Sequence, residues 1–121
     1  MKTYTNEQKI DYALRKMGVP QNLKGYRCLK VAIESAMNDA SVLENTMELY
    51  KYIAVMLVDT PSKVERAIRN AIEQSWLRIS KKLVDDVFGN TLLPEHKPTN
   101  SHYIAAISEI LTDYDEHPIL L

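Results

Sequence analysis

The chain has 121 residues, 45% of them hydrophobic, enough for one ordinary core and too few for two. Three glycines and five prolines, among residues dominated by Ala, Leu, Ile, Lys and Glu, argue against a turn-rich sheet and predict one all-α domain over residues 1–121. Cys28 stands alone, which excludes an intrachain disulfide and a thiolate zinc cluster, and the formal net charge of −1 excludes a uniformly basic surface.

The opening residues Met1 to Glu7 contain no apolar export signal, and no later stretch approaches the apolar length that spans a bilayer. A cytoplasmic protein without a membrane partner is expected, with Cys28 as a small core residue. Charge is unevenly placed. Residues 61–82 carry Lys63, Arg66, Arg69, Arg78, Lys81 and Lys82 against Glu65 and Glu73, whereas residues 103–121 carry Glu109, Asp113, Asp115 and Glu116 with no Lys or Arg. A partner responds to that local field rather than to the sum, so the basic segment is the place to look for function.

Six helices are predicted. Ile10, Ala13, Leu14 and Met17 lie at helical spacing in a first helix from about Asn6 to Met17, stopped by Gly18-Val19-Pro20. A second runs from about Leu23 to Met37 with Tyr26, Leu29, Ile33 and Met37 inward, and ends at Asn38-Asp39. A third, from about Thr46 to Leu57, turns Leu49, Tyr50, Ile53, Ala54 and Leu57 inward and is followed by the short turn Val58-Asp59-Thr60. The fourth has the clearest start: Thr60 can cap it, and Pro61 sits where a missing N–H costs nothing. It should reach about Ile79. A short fifth helix covers about Lys82 to Val87; a loop from Asn90 to Pro98 follows. Thr99 or Asn100 then caps a sixth helix, with Tyr103, Ile104, Ile107, Ile110 and Leu111 on its apolar side and a frayed end beyond.

On the fourth helix Val64, Ala67, Ile68, Ala71, Ile72, Ser75 and Ile79 share one arc, and Ser62, Arg66, Arg69, Asn70 and Glu73 lie opposite. Arginine and asparagine near a helix N-terminus suit bidentate contacts to guanine and adenine edges, and Glu65 can accept from a cytosine amino group. A helix, a three-residue turn and a second helix with a free polar face form the layout of a helix-turn-helix, whose second helix enters the major groove. The bland alternative is a solvated face, on which Glu65–Arg69 and Arg69–Glu73 are ordinary i,i+4 pairs.

The run Ser62-Lys63-Val64-Glu65-Arg66-Ala67-Ile68-Arg69-Asn70-Ala71-Ile72-Glu73, with Trp76 after it, resembles the DNA-reading helix of the master sporulation response regulators of endospore-forming bacteria. The likeness continues in order through Gly18-Val19-Pro20, Lys24-Gly25-Tyr26, Leu29, Ala32-Ile33, Leu49-Tyr50, Ile53-Ala54, Phe88-Gly89, Thr91, Lys97-Pro98-Thr99-Asn100-Ser101 and Ile104-Ala105, which are similar to that family's C-terminal effector domain. The resemblance implies a six-helix domain that binds short promoter boxes resembling TGTCGAA and regulates transcription through RNA polymerase. By position, Glu65, Arg66 and Arg69 would read bases. Asn70 joins them on the same face, with Ser62 and Lys63 at the edge toward the backbone. Lys97 would contact the backbone, and Thr99, Asn100 and Ser101 would present free N–H groups to phosphate.

Lys63 stands where the family commonly has Arg and Asn70 where it has His, so contacts at the edges of the box should differ; Lys51 replaces the family's proline after Leu49-Tyr50, which touches only the first helix-turn-helix element and should be tolerated near a helix start. Residues Ile79 to Val87 depart from the segment with which the family touches the polymerase sigma factor, so that partner is less firmly implied than DNA. Residues 1–23 cannot hold the family's phosphorylatable receiver, leaving an excised domain or a free-standing relative regulated by abundance or another partner. Binding as a monomer or as tandem copies stays open. His96, His102 and His117 lack the spacing of a helical metal pair and read as surface or cap residues, and no phosphate loop or activated nucleophile is present, so neither an enzyme nor a cofactor is expected. The competing reading is a protein-binding module of the same fold that engages another regulator without specific DNA readout.

Overall fold

The computed structural model describes residues 4–89 and 96–120, and the expected loop at Asn90 to Pro98, with Thr91, falls largely outside them. The described residues contain six α-helices, α1 (Asn6–Lys16), α2 (Lys24–Asn38), α3 (Thr46–Leu57), α4 (Pro61–Arg78), α5 (Lys81–Phe88) and α6 (Asn100–Asp113), and no strand. Most boundaries follow from local chemistry. Thr5 and Gln8 form a reciprocal capping box on α1, Asn45 caps α3, Thr60 caps α4 with Pro61 behind it, Ser80 caps α5 and Thr99 caps α6. The helix α1 ends at Gly18, which takes a φ of 78°.

The central helix is α2, in contact with α1, α3, α4 and α6. Its inward side chains Tyr26, Cys28, Leu29, Ala32, Ile33 and Ala36 join Ile10 and Leu14 of α1, Ile53 of α3, Val64, Ile68 and Ile72 of α4, and Tyr103, Ile104 and Ile107 of α6 in one buried cluster. Gly25 lets α2 and α4 approach: a Cβ there would stand 2.1 Å from the Ala67 carbonyl oxygen and 2.6 Å from the Ala71 Cβ. A buried polar contact closes the far end of α4. The Ser75 hydroxyl donates to the Met17 carbonyl at 2.6 Å, which leaves its oxygen to accept from the Tyr103 hydroxyl at 2.8 Å.

One expectation needs correction. The end of the chain is not frayed through residue 120: Pro118–Leu120 forms a 3-10 turn against α1 and α5, with Ile119 fully buried. His117 takes the cap role of the two expected for it: its Nδ1 accepts from the Ile119 amide at 3.1 Å and its Nε2 donates to the Asp86 carbonyl at 3.0 Å, pinning that turn to α5. A further 3-10 turn, Ala40–Glu44, occupies the stretch after α2, capped by Asp39. Trp76, the one tryptophan, is half-buried and packed at the core margin, edge-on to Phe88 at 5.8 Å between ring centres, while Tyr103 is fully buried.

Candidate nucleic-acid interface

The turn between α3 and α4 sets the direction of α4. Val58 adopts a left-handed conformation with φ 55°, the Asp59 amide donates back to the Ala54 carbonyl at 2.9 Å, and the Asp59 carboxylate accepts from the Thr60 amide at 2.8 Å. The same carboxylate pairs with Lys24 of α2, so the turn is tied to the core helix. From there α4 buries Val64, Ile68, Ala71, Ile72 and Ser75 and leaves Ser62, Lys63, Arg66, Arg69, Asn70 and Glu73 exposed, with Glu65 half-buried at the border. The wheel drawn from the sequence is thus the one the fold adopts. Ala67 and Ile79 lie only at the border of the core, and Ile79 terminates α4 as its C-cap.

Beside this face stands the N-terminus of α6. The Asn100 amide donates to the Tyr50 hydroxyl and to the Glu65 carbonyl, both at 3.2 Å, bridging α6 to α3 and α4. Lys97 reaches across to form an ion pair with Glu73. Between the elements lies an open groove of about 410 Å³ lined by Thr46, Tyr50, Glu65, Arg69 and the run Lys97 to Ser101. The first turns of both α3 and α6 therefore open onto one groove, where free N–H groups and the positive helix ends favour an anion. Thr99 accepts from the His102 amide at 3.2 Å as the α6 cap, and its hydroxyl lies 3.4 Å from that of Ser101.

The structure brings Glu65, Arg69, Lys97, Thr99, Asn100 and Ser101 together around the groove and places Ser62, Lys63, Arg66 and Asn70 on the exposed face of α4. The side-chain amide of Asn100 is spent inside the protein, which leaves main-chain N–H groups of α6 as that segment's means of meeting phosphate. Arg69 is held by Glu65 at 3.2 Å, while Lys63 and Arg66 have no ion-pair partner among the described residues. Hydrogen bonding and charge from Lys97 hold the Glu73 carboxyl below the usual carboxylate range, so it stays ionised at neutral pH. Sequence reasoning missed two contributors. Tyr50 was legible only as a core residue, and nothing local pairs Glu73 with a lysine 24 positions away.

A different surface lies on the side of α3 away from Tyr50, where Tyr52, Val55 and Met56 are exposed, as is Val58 in the following turn. No group of three or more His, Cys, Asp or Glu side chains that could hold a metal occurs among the described residues, and no described helix is long and apolar enough to cross a membrane.

The order of these features along the chain agrees with a family model. Residues 10–111, from α1 through α6, match the one described as the C-terminal part of sporulation initiation factor Spo0A. That is a family of transcription-factor effector domains rather than of enzymes, and its span includes the α3–α4 pair, the groove and the α6 N-terminus. The chain belongs to the sporulation initiation factor Spo0A C-terminal domain family, whose field is DNA-binding regulation of transcription.

Proposed function

We propose that this domain is a helix-turn-helix transcription regulator acting in the cytoplasm on duplex DNA, with α4 in the major groove and the α6 N-terminus on the phosphate backbone. One observation carries the reading: an exposed polar face at the start of α4, bearing Arg66 with no ion-pair partner among the described residues, lies alongside a groove onto which two helix N-termini and Lys97 open. Arg66 is suited to a guanine edge, Asn70 to adenine, Glu65 to cytosine and Arg69 to a second guanine once it is released from Glu65. Ser62 and Lys63 flank the reading face, and Thr99, Asn100 and Ser101 offer main-chain donors to phosphate. Family membership supports promoter boxes as the target, with RNA polymerase sigma factor as a further partner and tandem copies on adjacent boxes as an arrangement to be tested.

The exposed Tyr52, Val55, Met56 and Val58 favour a second reading, a module that docks on another regulator through the outer face of α3. Binding to a duplex carrying TGTCGAA and to a scrambled duplex, across a salt series, separates the two. DNA readout gives box preference with a salt slope; a pure docking module gives neither. Arg66→Ala should weaken the box complex by roughly 1–3 kcal/mol and relax preference at one base pair, with helical content unchanged. Equal affinity of the parent chain for box and scramble at physiological salt would sink the reading.

A further inference from the structure

We infer that Glu73 is an internal competitor for the DNA phosphate: its carboxylate occupies the Lys97 ammonium in the free protein and lowers the affinity of the domain for any duplex. The inference rests on the DNA-binding reading above.

Glu73 and Lys97 come from different elements, the exposed face of α4 and the approach to α6, and they meet on the side of the molecule that carries the groove. Both side chains are solvent-accessible, so a phosphate oxygen can approach the ammonium, but only by taking the place the carboxylate now holds. A similar arrangement stands one helical turn or two earlier on α4, where Glu65 holds Arg69. Of the cations facing the groove, each therefore already has a carboxylate partner on α4. The contrast is with Lys63 and Arg66 at the start of α4, which have none among the described residues. Cations at the helix start are ready for DNA, and those in the groove are matched by acids. For a chain of net charge −1 this keeps the sequence-independent attraction to DNA small, so that base contacts decide where it binds.

The magnitude follows from counterion release. Removing the Glu73 charge returns about one net positive charge to the interface, which at 0.15 M salt amounts to about fivefold in affinity and adds about 0.9 to the magnitude of the log K against log salt slope. Because no base contact changes, box and scrambled duplexes gain alike.

The test uses the full 121-residue chain, a TGTCGAA duplex and a scrambled duplex, with four proteins: parent, Glu73→Gln, Lys97→Met and the double variant. Glu73→Gln should tighten both duplexes about fivefold and steepen the slope by about 0.9, and in the Lys97→Met background most of that gain should disappear. Unchanged or weaker binding by Glu73→Gln overturns the inference, because the pair then serves only to hold the α6 approach against α4. A gain that persists in full without Lys97 also overturns it, since simple removal of a repelling charge explains that result. If the parent chain shows neither box preference nor salt dependence, the DNA-binding reading fails and the inference falls with it; failure of Glu73→Gln against a normal parent refutes the competitor alone.

Discussion

Gly25→Ala tests the packing that places α4. The added methyl would lie 2.1 Å from the Ala67 carbonyl oxygen and 2.6 Å from the Ala71 Cβ, where ordinary contact begins at 3.4 Å. The nearest obstacle is helix backbone, which cannot rotate aside, so α2 and α4 must part by roughly 1 Å along a contact that also buries Leu29, Ile33, Val64 and Ile68. Overpacking of this kind costs about 1–3 kcal/mol and more where backbone must move, whereas replacing a helical glycine by alanine returns roughly 1 kcal/mol. With helix backbone as the obstacle the cost sits at the top of that range, and a net loss of about 2 kcal/mol follows, a large share of the roughly 5–15 kcal/mol available to a small domain. Urea titration followed by fluorescence of Trp76, the one tryptophan in the chain, should show the midpoint falling by about 1–2 M with an unchanged slope. Ala71→Gly added to this variant should rescue it only in part, because the carbonyl contact remains. A midpoint equal to or above that of the parent would refute the close approach of these helices and, with it, the placement of α4 argued from it.

Val58 is 92% exposed and left-handed, so Val58→Gly removes backbone strain of about 1–2 kcal/mol against an entropic cost of about 0.5–1 kcal/mol; thermal melts should rise by roughly 2–4 °C, and a fall would contradict the turn geometry. Ser75→Ala should lower stability by about 1–3 kcal/mol by depriving the Met17 carbonyl and the buried Tyr103 hydroxyl of their shared partner, and a loss below about 0.5 kcal/mol in denaturant titration would show that this contact does not join α1, α4 and α6.

The parts of the fold legible in the sequence are those whose causes are local. Thr60 and Pro61 fix the start of α4, Thr99 fixes the start of α6, and the spacing of Val64, Ile68, Ala71 and Ile72 says which way α4 faces, because each depends on residues within a turn or two. The exposed half of the candidate site follows from the same wheel, and so Ser62, Arg66, Arg69, Asn70 and Glu73 are exposed as expected. Long-range contacts were not legible. Asn100 meets the Glu65 carbonyl 35 positions away, Lys97 meets Glu73 across 24, and His117 meets the Asp86 carbonyl across 31. No periodicity records such meetings. The docked end of the chain escaped for a related reason: its apolar residues are too few to show a period, yet Ile119 is fully buried in a turn that contacts α1 and α5.

A protein that reads bases with one element and grips the backbone with another must hold the two at a fixed separation, because the duplex offers its groove edges and phosphates at set positions. If α4 reads bases and the α6 N-terminus meets phosphate, as proposed, that separation is set from both sides of α4. Along its inner side Gly25 brings α2 against Ala67 and Ala71, and the hydroxyl of Ser75 joins it to Met17 and Tyr103. Near its start the Glu65 carbonyl, on the residue whose carboxylate faces the groove, accepts from Asn100 at the first turn of α6. A shift of α4 relative to α6 would have to break that hydrogen bond, slide the Ala67 carbonyl past Gly25 and uncover the buried hydroxyl pair together. Under that proposal, the reading face and the phosphate-facing helix end are thus tied together by core and main-chain contacts, whereas the ion pairs on their surface can exchange partners. On the proposed function, geometry fixes which sequence is read, and the exchange of Glu73 for phosphate at Lys97 sets how tightly.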